Sequence, residues 1–431
     1  MILTHLDLRG LDDDALRATL PRPKAAGSEP VEAVREILDD VRVRGDTAVL
    51  ELTERFDGVR LDSPRVPSAA LDEALASIDP SVRAALDAAA ERIRAHHQTQ
   101  VRHDHTDTRD GISIEALVRP VERAGIYVPG GRAAYPSTVL MTVIPARVAG
   151  VPEVVLCVPP DRATGRVAEV TLAAAAIAGV DEVYAIGGAQ AIGAMAYGTE
   201  TVRPVDVIAG PGNVFVAVAK REVSDRVGIA AAFAGPSEVV VVADETTPVD
   251  YAAIDVILQA EHGPDGTSWL ISWSPEVCEA VDAAVERLVA GAPRRTEIEQ
   301  TLSAGGFSAL VDGPEQAIAV ANLVAPEHLE LLCDDPRRLL PLVRNAPAVF
   351  CGPLSPASIG DYIAGPSHVL PTDGTARFAS ALTVADFTKD IHVVTVEPAG
   401  FDAVAPHVVA LAAAEGLDAH AESVRLRQAD R

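Results

Sequence analysis

The segment "ILQAEHGPDG" (257–266) ends an apolar run with two side chains that could bind a metal ion. Gln259 and His262 stand three residues apart, and residues at that spacing share one face of a helix. A histidine nitrogen suits zinc, whereas the amide oxygen of glutamine is an uncharged ligand that needs stronger partners. The alternative is a structural pair, in which the glutamine caps the helix and the histidine closes it. A metal site here therefore requires ligands from other segments.

The segment "NLVAPEHLELL" (322–332) places Glu327 beside His328, just before an apolar strand. Loops next to strands often hold the catalytic groups of sheet enzymes. A carboxylate near an imidazole raises the proton affinity of the ring, which suits a general base that works near neutral pH. Glu327 and His328 are therefore candidate catalytic residues, and the alternative is an ordinary Glu–His pair on the surface.

Further polar candidates lie on a long loop, on a Gly-Pro turn and in the C-terminal tail. The loop "SIGDYIAGPSHVLPTDGTARF" (358–378) is rich in glycine and proline, and long structured loops in compact domains are often functional. The turn "AGPSE" (234–238) lies at the junction of two predicted sheets. The candidates are Asp361 and His368 from the loop, Ser237 from the turn, and Glu415 and His420 from the tail.

Three turns between apolar strands and helices have the composition of phosphate-binding turns. They are "YVPGG" (127–131), "IGGAQAIG" (186–193) and "AGPGN" (209–213). Glycines let the backbone approach a phosphate, and the free N–H groups at a helix start bind anions. None of the turns is GxGxxG, so ordinary tight turns remain the alternative to a dinucleotide site. Their polar side chains are Tyr127, Gln190 and Asn213, and Asn213 could instead be a helix N-cap.

Apolar periodicity predicts the elements that must position these groups. Residues 30–100 repeat apolar side chains at spacings of three and four, which is typical of amphipathic helices. From residue 121, and again from about residue 237, short apolar strands alternate with helices. Such series imply parallel sheets with right-handed crossovers, covered by helices on both faces. The sequence therefore predicts an α/β fold with two parallel sheets, followed by an extended piece and a helical tail.

Composition excludes several classes of partner. The chain has 431 residues, which exceeds what one hydrophobic core usually serves, so two or more domains are expected. Its formal net charge of −26 opposes binding to nucleic acids and anionic membranes. The first residues are acidic where a signal peptide is basic, and no apolar run approaches the about 20 residues that span a bilayer. Four scattered cysteines without a CxxC pair favour a reducing cytoplasm.

Taken together, these segments strongly resemble the histidinol dehydrogenase family over nearly the whole chain. The motifs that carry the resemblance are "YVPGG", "YPSTVLMTVIPARVAGV", "AIGGAQAIGAMAYGT", "IAGPGN", "AGPSEV", "QAEHG", "APEHLEL", "GDYIAGPSHVLPT" and "TARF". The resemblance implies a cytoplasmic enzyme of histidine biosynthesis. Such an enzyme oxidises L-histidinol to L-histidine through bound L-histidinal and uses NAD.

The resemblance also implies a role for each candidate residue. One zinc ion per subunit would be held by Gln259, His262, Asp361 and His420, and His420 would come from the partner chain of a homodimer. Glu327 and His328 would form the acid/base pair. The NAD contacts would be Tyr127, Gln190 and Asn213. The substrate contacts would be Ser237, His328, His368 and Glu415, together with the four zinc ligands.

The fold expected from the resemblance has two Rossmann-like domains, each an incomplete, doubly wound parallel sheet of aldehyde-dehydrogenase-like type. The predicted boundaries are an N-terminal extension (1–25), a first α/β domain with most active-site residues (26–125 and 238–381), a second α/β domain with the NAD-contacting turns (126–237), and a helical C-terminal dimerisation segment that reaches the partner (382–431). Two other functions remain open: a zinc-dependent hydrolase, and a related NAD-dependent amino-alcohol dehydrogenase of different specificity.

Overall fold

The computed structural model describes residues 2–21, 30–130, 134–230, 235, 237–263 and 266–429, and the side chain of His262 lies outside the described part. The described strands are, in chain order, β1 Thr4–Asp7, β2 His105–Arg109, β3 Ile112–Pro120, β4 Arg123–Tyr127, β5 Glu153–Cys157, β6 Glu182–Tyr184, β7 Val207–Ala209, β8 Gly228–Ile229, β9 Glu238–Ala243, β10 Thr267–Ser272, β11 Gly306–Leu310, β12 His328–Leu331, β13 Ala348–Cys351 and β14 Thr388–Val396.

The described helices are α1 Asp13–Thr19, α2 Val31–Arg44, α3 Asp46–Asp57, α4 Ala69–Ser77, α5 Pro80–Gln98, α6 Pro136–Val148, α7 Glu169–Ala178, α8 Gly188–Tyr197, α9 Val214–Glu222, α10 Val249–Leu258, α11 Pro275–Ala290, α12 Arg295–Gly305, α13 Pro314–Val324, α14 Pro336–Leu339, α15 Ala357–Tyr362, α16 Pro398–Ala414 and α17 Asp418–Ala429. Short 3-10 helices cover Gln259–His262, Leu340–Leu342, Thr375–Arg377 and Val384–Phe387. None of these described helices combines the length and apolar character that crossing a membrane requires.

Two parallel sheets form the body of the described chain. One has the strand order β6-β5-β4-β7-β8, and the other has the order β1-β11-β10-β9-β12-β13. The strands of each sheet can be numbered in chain order, with β1 left out. Both sheets then have the same spatial order, namely third, second, first, fourth and fifth. The order reverses between the first and the fourth strand, which is the doubly wound arrangement. The predicted α/β fold with two parallel sheets is therefore confirmed.

Helices cover both faces of the five-stranded sheet. Along β5, Val155 and Cys157 pack in one cluster with α2, α3, α8 and α9, while Val154 and Leu156 pack in another with α4 to α7. Helices α2 to α5 therefore cover this sheet, whereas the predicted grouping joined residues 26–125 to 238–381. Periodicity shows which face of a helix is buried and does not show which sheet buries it.

The six-stranded sheet is covered by α10, α11 and α12 on one face and by α1 and α13 on the other. Strand β1, from the predicted N-terminal extension, pairs in parallel with β11 and so forms one edge of this sheet. The first residues of the chain therefore belong to the same layer as β9 and β12. The boundary predicted between residues 25 and 26 lies outside the described residues.

A third, antiparallel sheet has the order β14-β3-β2. Strand β14 corresponds to the predicted extended piece, and it pairs with β3 from Thr388↔Pro120 to Val396↔Ile112. Every residue of β2 is exposed, so this strand lacks the apolar pattern that would have predicted it. Helices α16 and α17 follow β14, as the predicted helical tail required.

The turn after β7 depends on Gly210. Its φ is +108°, and a Cβ atom there would overlap the carbonyl oxygen of Tyr127. We therefore expect Gly210→Ala to lower the free energy of unfolding by at least about 2 kcal/mol, because both the backbone angle and the close approach exclude a side chain. Urea denaturation measures the change.

Gly352→Ala is the matched control. Gly352 also has a positive φ of +86°, but a Cβ there would meet no atom within 4 Å. We expect Gly352→Ala to lower the free energy of unfolding by only about 1 kcal/mol. Equal losses in the two variants would show that the close approach to Tyr127 contributes nothing.

Candidate active site

Glu327 and His328 lie at the amino edge of the six-stranded sheet. His328 is the first residue of β12 and Glu327 directly precedes it, so the pair stands at the start of a strand within the sheet. Both are buried, with 8% of Glu327 and 3% of His328 exposed. The alternative of a surface Glu–His pair is therefore excluded. The carboxyl edge, where ligands of parallel sheets usually bind, lies at the other end of β12.

The imidazole of His328 lies between two carboxylates. Its Nε2 is 3.2 Å from Oδ1 of Asp361, and its Nδ1 is 3.9 Å from Oε2 of Glu327. Burial lowers the pKa of His328, but the two carboxylates more than offset this effect, so the pKa is raised above its usual value. Asp361 belongs to α15, at the start of the long loop. The fold therefore brings three of the predicted residues together around one ring.

Backbone and hydroxyl donors hold Glu327 in place. Its Oε2 accepts a hydrogen bond of 3.3 Å from the backbone N–H of Glu238, and the side chain of Ser237 hydrogen-bonds the same carboxylate. Burial raises the pKa of Glu327, and burial also raises the pKa of Glu238 to about 8. A buried carboxyl with a raised pKa can exchange protons at pH values where an exposed one stays ionised.

The five-stranded sheet reaches this cluster through α6. Thr138, in the first turn of α6, lies 3.1 Å through Oγ1 from Nε2 of His368. Nδ1 of His368 in turn lies 2.8 Å from the carbonyl oxygen of Asp361. Since α6 begins at the carboxyl end of β4, the carboxyl edge of one sheet faces the amino edge of the other at this cluster. Thr138 was not predicted, because a threonine inside an apolar helix carries no signal of its own.

Gln259 lies in the 3-10 turn that ends α10, near the same edge of the six-stranded sheet. It is 2% exposed, and its Oε1 has no hydrogen-bond partner among the described residues. Buried polar atoms are normally satisfied, so this oxygen fits a ligand to a bound ion. Within the described residues, no three His, Cys, Asp or Glu side chains form a metal-binding group. The zinc site therefore stays a prediction, and the side chain of His262 lies outside the described part.

Glu415 and His420 are exposed in a single chain. Glu415 is the C-cap of α16, and His420 lies in the first turn of α17. Among the described side chains, no contact joins either residue to His328 or Asp361. A single chain therefore does not bring them to the cluster, and the partner-chain interpretation remains a prediction.

Two of the phosphate-type turns follow β4 and β7, the neighbouring strands between which the order of the five-stranded sheet reverses, and the third follows the edge strand β6. Tyr127 is buried, its Oη accepts a hydrogen bond of 3.1 Å from the N–H of Gly188, and burial raises its pKa to about 12. Gln190 is buried, and neither atom of its amide has a partner among the described residues. Asn213 is exposed and caps α9, since its Oδ1 accepts from the N–H of Val216. The cap interpretation of Asn213 is thus correct, and a contact with NAD stays a prediction.

Lys220 was missed at this turn. It is fully buried in α9, and its Nζ donates a hydrogen bond to the carbonyl oxygen of Gly210. Burial lowers its pKa to about 7. A lysine inside the apolar run "VFVAVAK" is the signal that could have identified it, because apolar surroundings disfavour a charge.

The sequence matches the family model described as histidinol dehydrogenase over residues 20–428. It is 47% identical over 432 residues to the histidinol dehydrogenase of Thermobifida fusca (strain YX), and the alignment covers 99% of this chain and 98% of that protein. It is 46% identical over 403 residues to that of Pseudomonas syringae pv. tomato, with coverages of 93% and 89%. The crystal structure of histidinol dehydrogenase from Elizabethkingia anophelis superposes with a TM-score of 0.94 at 33% identity, and the match covers 100% of this chain and 98% of that one.

The doubly wound sheets and the buried acid/base cluster place the chain among α/β oxidoreductases, in agreement with these matches. The chain belongs to the histidinol dehydrogenase family. The resemblance predicted from the motifs is thereby confirmed.

Lys220 should make stability depend on pH. Its pKa is about 7 in the folded chain and 10.5 when unfolded, so the unfolded state binds more protons between these values. Burial of the Lys220 ammonium lowers the free energy of unfolding by its full amount below about pH 7. This destabilisation is relieved as the pH rises towards 10.5. We expect the free energy of unfolding of wild type to increase by several kcal/mol, relative to Lys220→Met, across this window.

Denaturant titrations at a series of pH values measure the difference. Lys389→Met, which removes an exposed lysine, controls for the loss of one positive charge. Parallel pH profiles for wild type and Lys220→Met would rule out a buried neutral lysine.

Proposed function

We propose that this chain catalyses the NAD-dependent, zinc-dependent oxidation of L-histidinol to L-histidine through bound L-histidinal, the last steps of histidine biosynthesis in the cytoplasm. The observation that carries the proposal is the buried His328 imidazole between Glu327 and Asp361, at the edge that faces the turns of the five-stranded sheet. Membership of the histidinol dehydrogenase family supports the choice of substrate.

His328 acts as the base in both oxidations. Each step removes a proton from oxygen and a hydride from carbon, and NAD+ supplies the hydride acceptor when bound. An imidazole is the side chain that gains and loses a proton most readily near neutral pH. The carboxylates of Glu327 and Asp361 stabilise the protonated ring after it has taken the proton. The same ring serves the second step once it has released its proton.

Glu327 activates the water that hydrates the aldehyde. The gem-diol then gives up its hydride, and the reaction needs no covalent thioester. The cysteines agree with this route, because burial raises the pKa of Cys278 and Cys333 to about 11 and that of Cys157 to about 12. Thiols with such pKa values are poor nucleophiles.

The residues that would hold zinc are Gln259, His262, Asp361 and His420 of the partner subunit. The unpartnered Oε1 of Gln259 fits this assignment. Zinc, when bound, supplies a Lewis-acidic anchor for the imidazole and amine of histidinol. The residues around the anchor fix the alcohol carbon, and such positioning is worth up to about 7–11 kcal/mol. Ser237, His368 and Glu415 complete the substrate contacts, and the carboxylates of Asp361 and Glu415 favour a cationic amino alcohol.

Tyr127, Gln190 and Asn213 bind NAD at the carboxyl ends of β4, β6 and β7 in the five-stranded sheet. The two unpartnered amide atoms of Gln190 favour this assignment, since a ligand would supply their hydrogen bonds. A zinc hydrolase could use an adjacent glutamate to activate water but has no use for such a site. The proposal includes a homodimer, in which Glu415 and His420, exposed in one chain, would reach the site of the partner subunit.

His328→Asn tests the proposed base. Asparagine keeps a polar side chain but cannot take up the proton, so kcat for histidinol should fall by about 10²–10⁴-fold. NADH formation and zinc content of the purified protein are measured together, and zinc content should stay at the wild-type level. Loss of zinc along with activity would assign His328 to the metal site. A wild-type protein that forms no NADH from histidinol would favour the hydrolase.

Glu327→Gln separates the two oxidations. The amide keeps the size of the side chain but cannot activate water, so the aldehyde step should slow by about 10²-fold or more while the alcohol step falls less. Rates with histidinol and with histidinal as substrates measure the two effects. Equal losses on both substrates would contradict the role assigned to Glu327.

A further inference from the structure

A second acidic pair lies buried in the core beneath the site. Glu330, in the middle of β12, has no exposed area, and Asp255 of α10 is 5% exposed. Oε2 of Glu330 is buried with no donor among the described residues, and the carboxyl of Asp255 is close enough to share a hydrogen bond with Glu330 if one of the two groups carries a proton. Burial, reinforced by Asp255, raises the pKa of Glu330 to about 9, so Glu330 is the protonated donor and Asp255 the acceptor.

Glu330 also reaches a third element. Its Oε1 accepts a hydrogen bond of 2.7 Å from the backbone N–H of Ala357, the first residue of α15. The protonated carboxyl thus donates to α10 through one oxygen and accepts from α15 through its carbonyl oxygen. One side chain of β12 therefore connects α10 and α15 within the core.

Glu330, Asp255 and Ala357 each lie close in sequence to a predicted site residue, at a spacing that places the two on the same side of the strand or helix. Glu330 is two residues from His328, so both project from the same face of β12. Asp255 precedes Gln259 by four residues along α10 and its 3-10 end, and Ala357 precedes Asp361 by four residues in α15. Four residues are close to one helical turn. The three segments that carry His328, Gln259 and Asp361 are therefore joined directly behind the site.

We propose that Glu330 is a positioning residue, whose hydrogen bonds to Asp255 and Ala357 fix the distances among His328, Gln259 and Asp361. The inference rests on the proposed function, since it assigns these three residues to the base and the metal site. His368 holds Asp361 from its other side through the carbonyl oxygen, so Glu330 supplies the restraint on the helix itself.

The size of the effect follows from how such sites respond to displacement. Loss of a residue that orients metal ligands typically costs 10–100-fold in metal affinity or activity. A displacement of about 1 Å of a reacting group can cost about 100-fold in rate. Glu330 is fully buried behind the residues assigned to the base and the metal site, so its loss should act through the positions of those residues.

Two substitutions at residue 330 separate the effect of the hydrogen bonds from that of side-chain volume. Glu330→Gln reproduces the protonated carboxyl, because its amide can donate to Asp255 and its carbonyl can accept from Ala357. Glu330→Leu keeps a similar volume and removes both hydrogen bonds. Val241→Ala is the matched control, since Val241 is buried opposite Glu330 on β9 and its truncation weakens the same face without touching the hydrogen bonds.

The measurements are the Zn²⁺ dissociation constant of metal-free protein by chelator competition, kcat and KM for histidinol, and the midpoint of thermal unfolding. We expect Glu330→Gln to stay within about threefold of wild type in zinc affinity and kcat. Glu330→Leu should lose about 10–100-fold in both. Val241→Ala should lower the unfolding midpoint and leave zinc affinity and kcat unchanged.

Wild-type zinc affinity and kcat in Glu330→Leu would overturn the inference, and so would a loss in Glu330→Gln as large as in Glu330→Leu. If Glu330→Leu does not fold, Glu330→Gln alone decides the question. Retained zinc affinity and kcat in Glu330→Gln would support the hydrogen-bond role, and loss of both would contradict it. A wild-type protein that fails to oxidise histidinol overturns the proposed function instead, and the zinc affinities still test the positioning role.

Discussion

The site depends on one arrangement: a buried imidazole held between two carboxylates that come from different elements. Burial alone would keep His328 neutral and would disfavour ionised Glu327. Close contact with the two carboxylates offsets that effect for the imidazole, because each of them stabilises its protonated form. The arrangement holds only while β12 and α15 keep a fixed separation. The hydrogen bonds of Glu330 provide that constraint within the core.

The second constraint is the way the two sheets meet. The carboxyl edge of the five-stranded sheet faces the amino edge of the six-stranded sheet, and the contact between Thr138 and His368 joins them. The residues predicted to bind NAD therefore belong to one sheet, and those predicted to move protons belong to the other. Because each sheet has its own core, the two sides can be shaped independently. A junction of two such edges suits a reaction that passes a hydride from a held substrate to a cofactor.

The sequence predicted local structure well and long-range packing poorly. One of the helices predicted to alternate with strands from about residue 237 is α11, Pro275–Ala290, which its apolar spacing and its initial proline mark clearly. The sheet covered by α2 to α5 could not be predicted, since an apolar helix face is compatible with either sheet. Strand β2 was missed because it is exposed along its whole length. Glu327 and His328 stood out as neighbours of complementary chemistry, whereas Lys220 and Glu330 were overlooked as single charges inside apolar runs. Glu415 and His420 show a further limit, because one chain leaves them exposed.

The central claim is that one buried base and one activated water carry both oxidations at a single site, without release of the aldehyde. The most direct test counts the NADH formed per histidinol consumed by zinc-loaded wild-type protein, in the presence of a reagent that traps free aldehydes. The account predicts two NADH for each histidinol, histidine as the product and no trapped aldehyde. One NADH for each histidinol, with the aldehyde recovered in the trap, would contradict it.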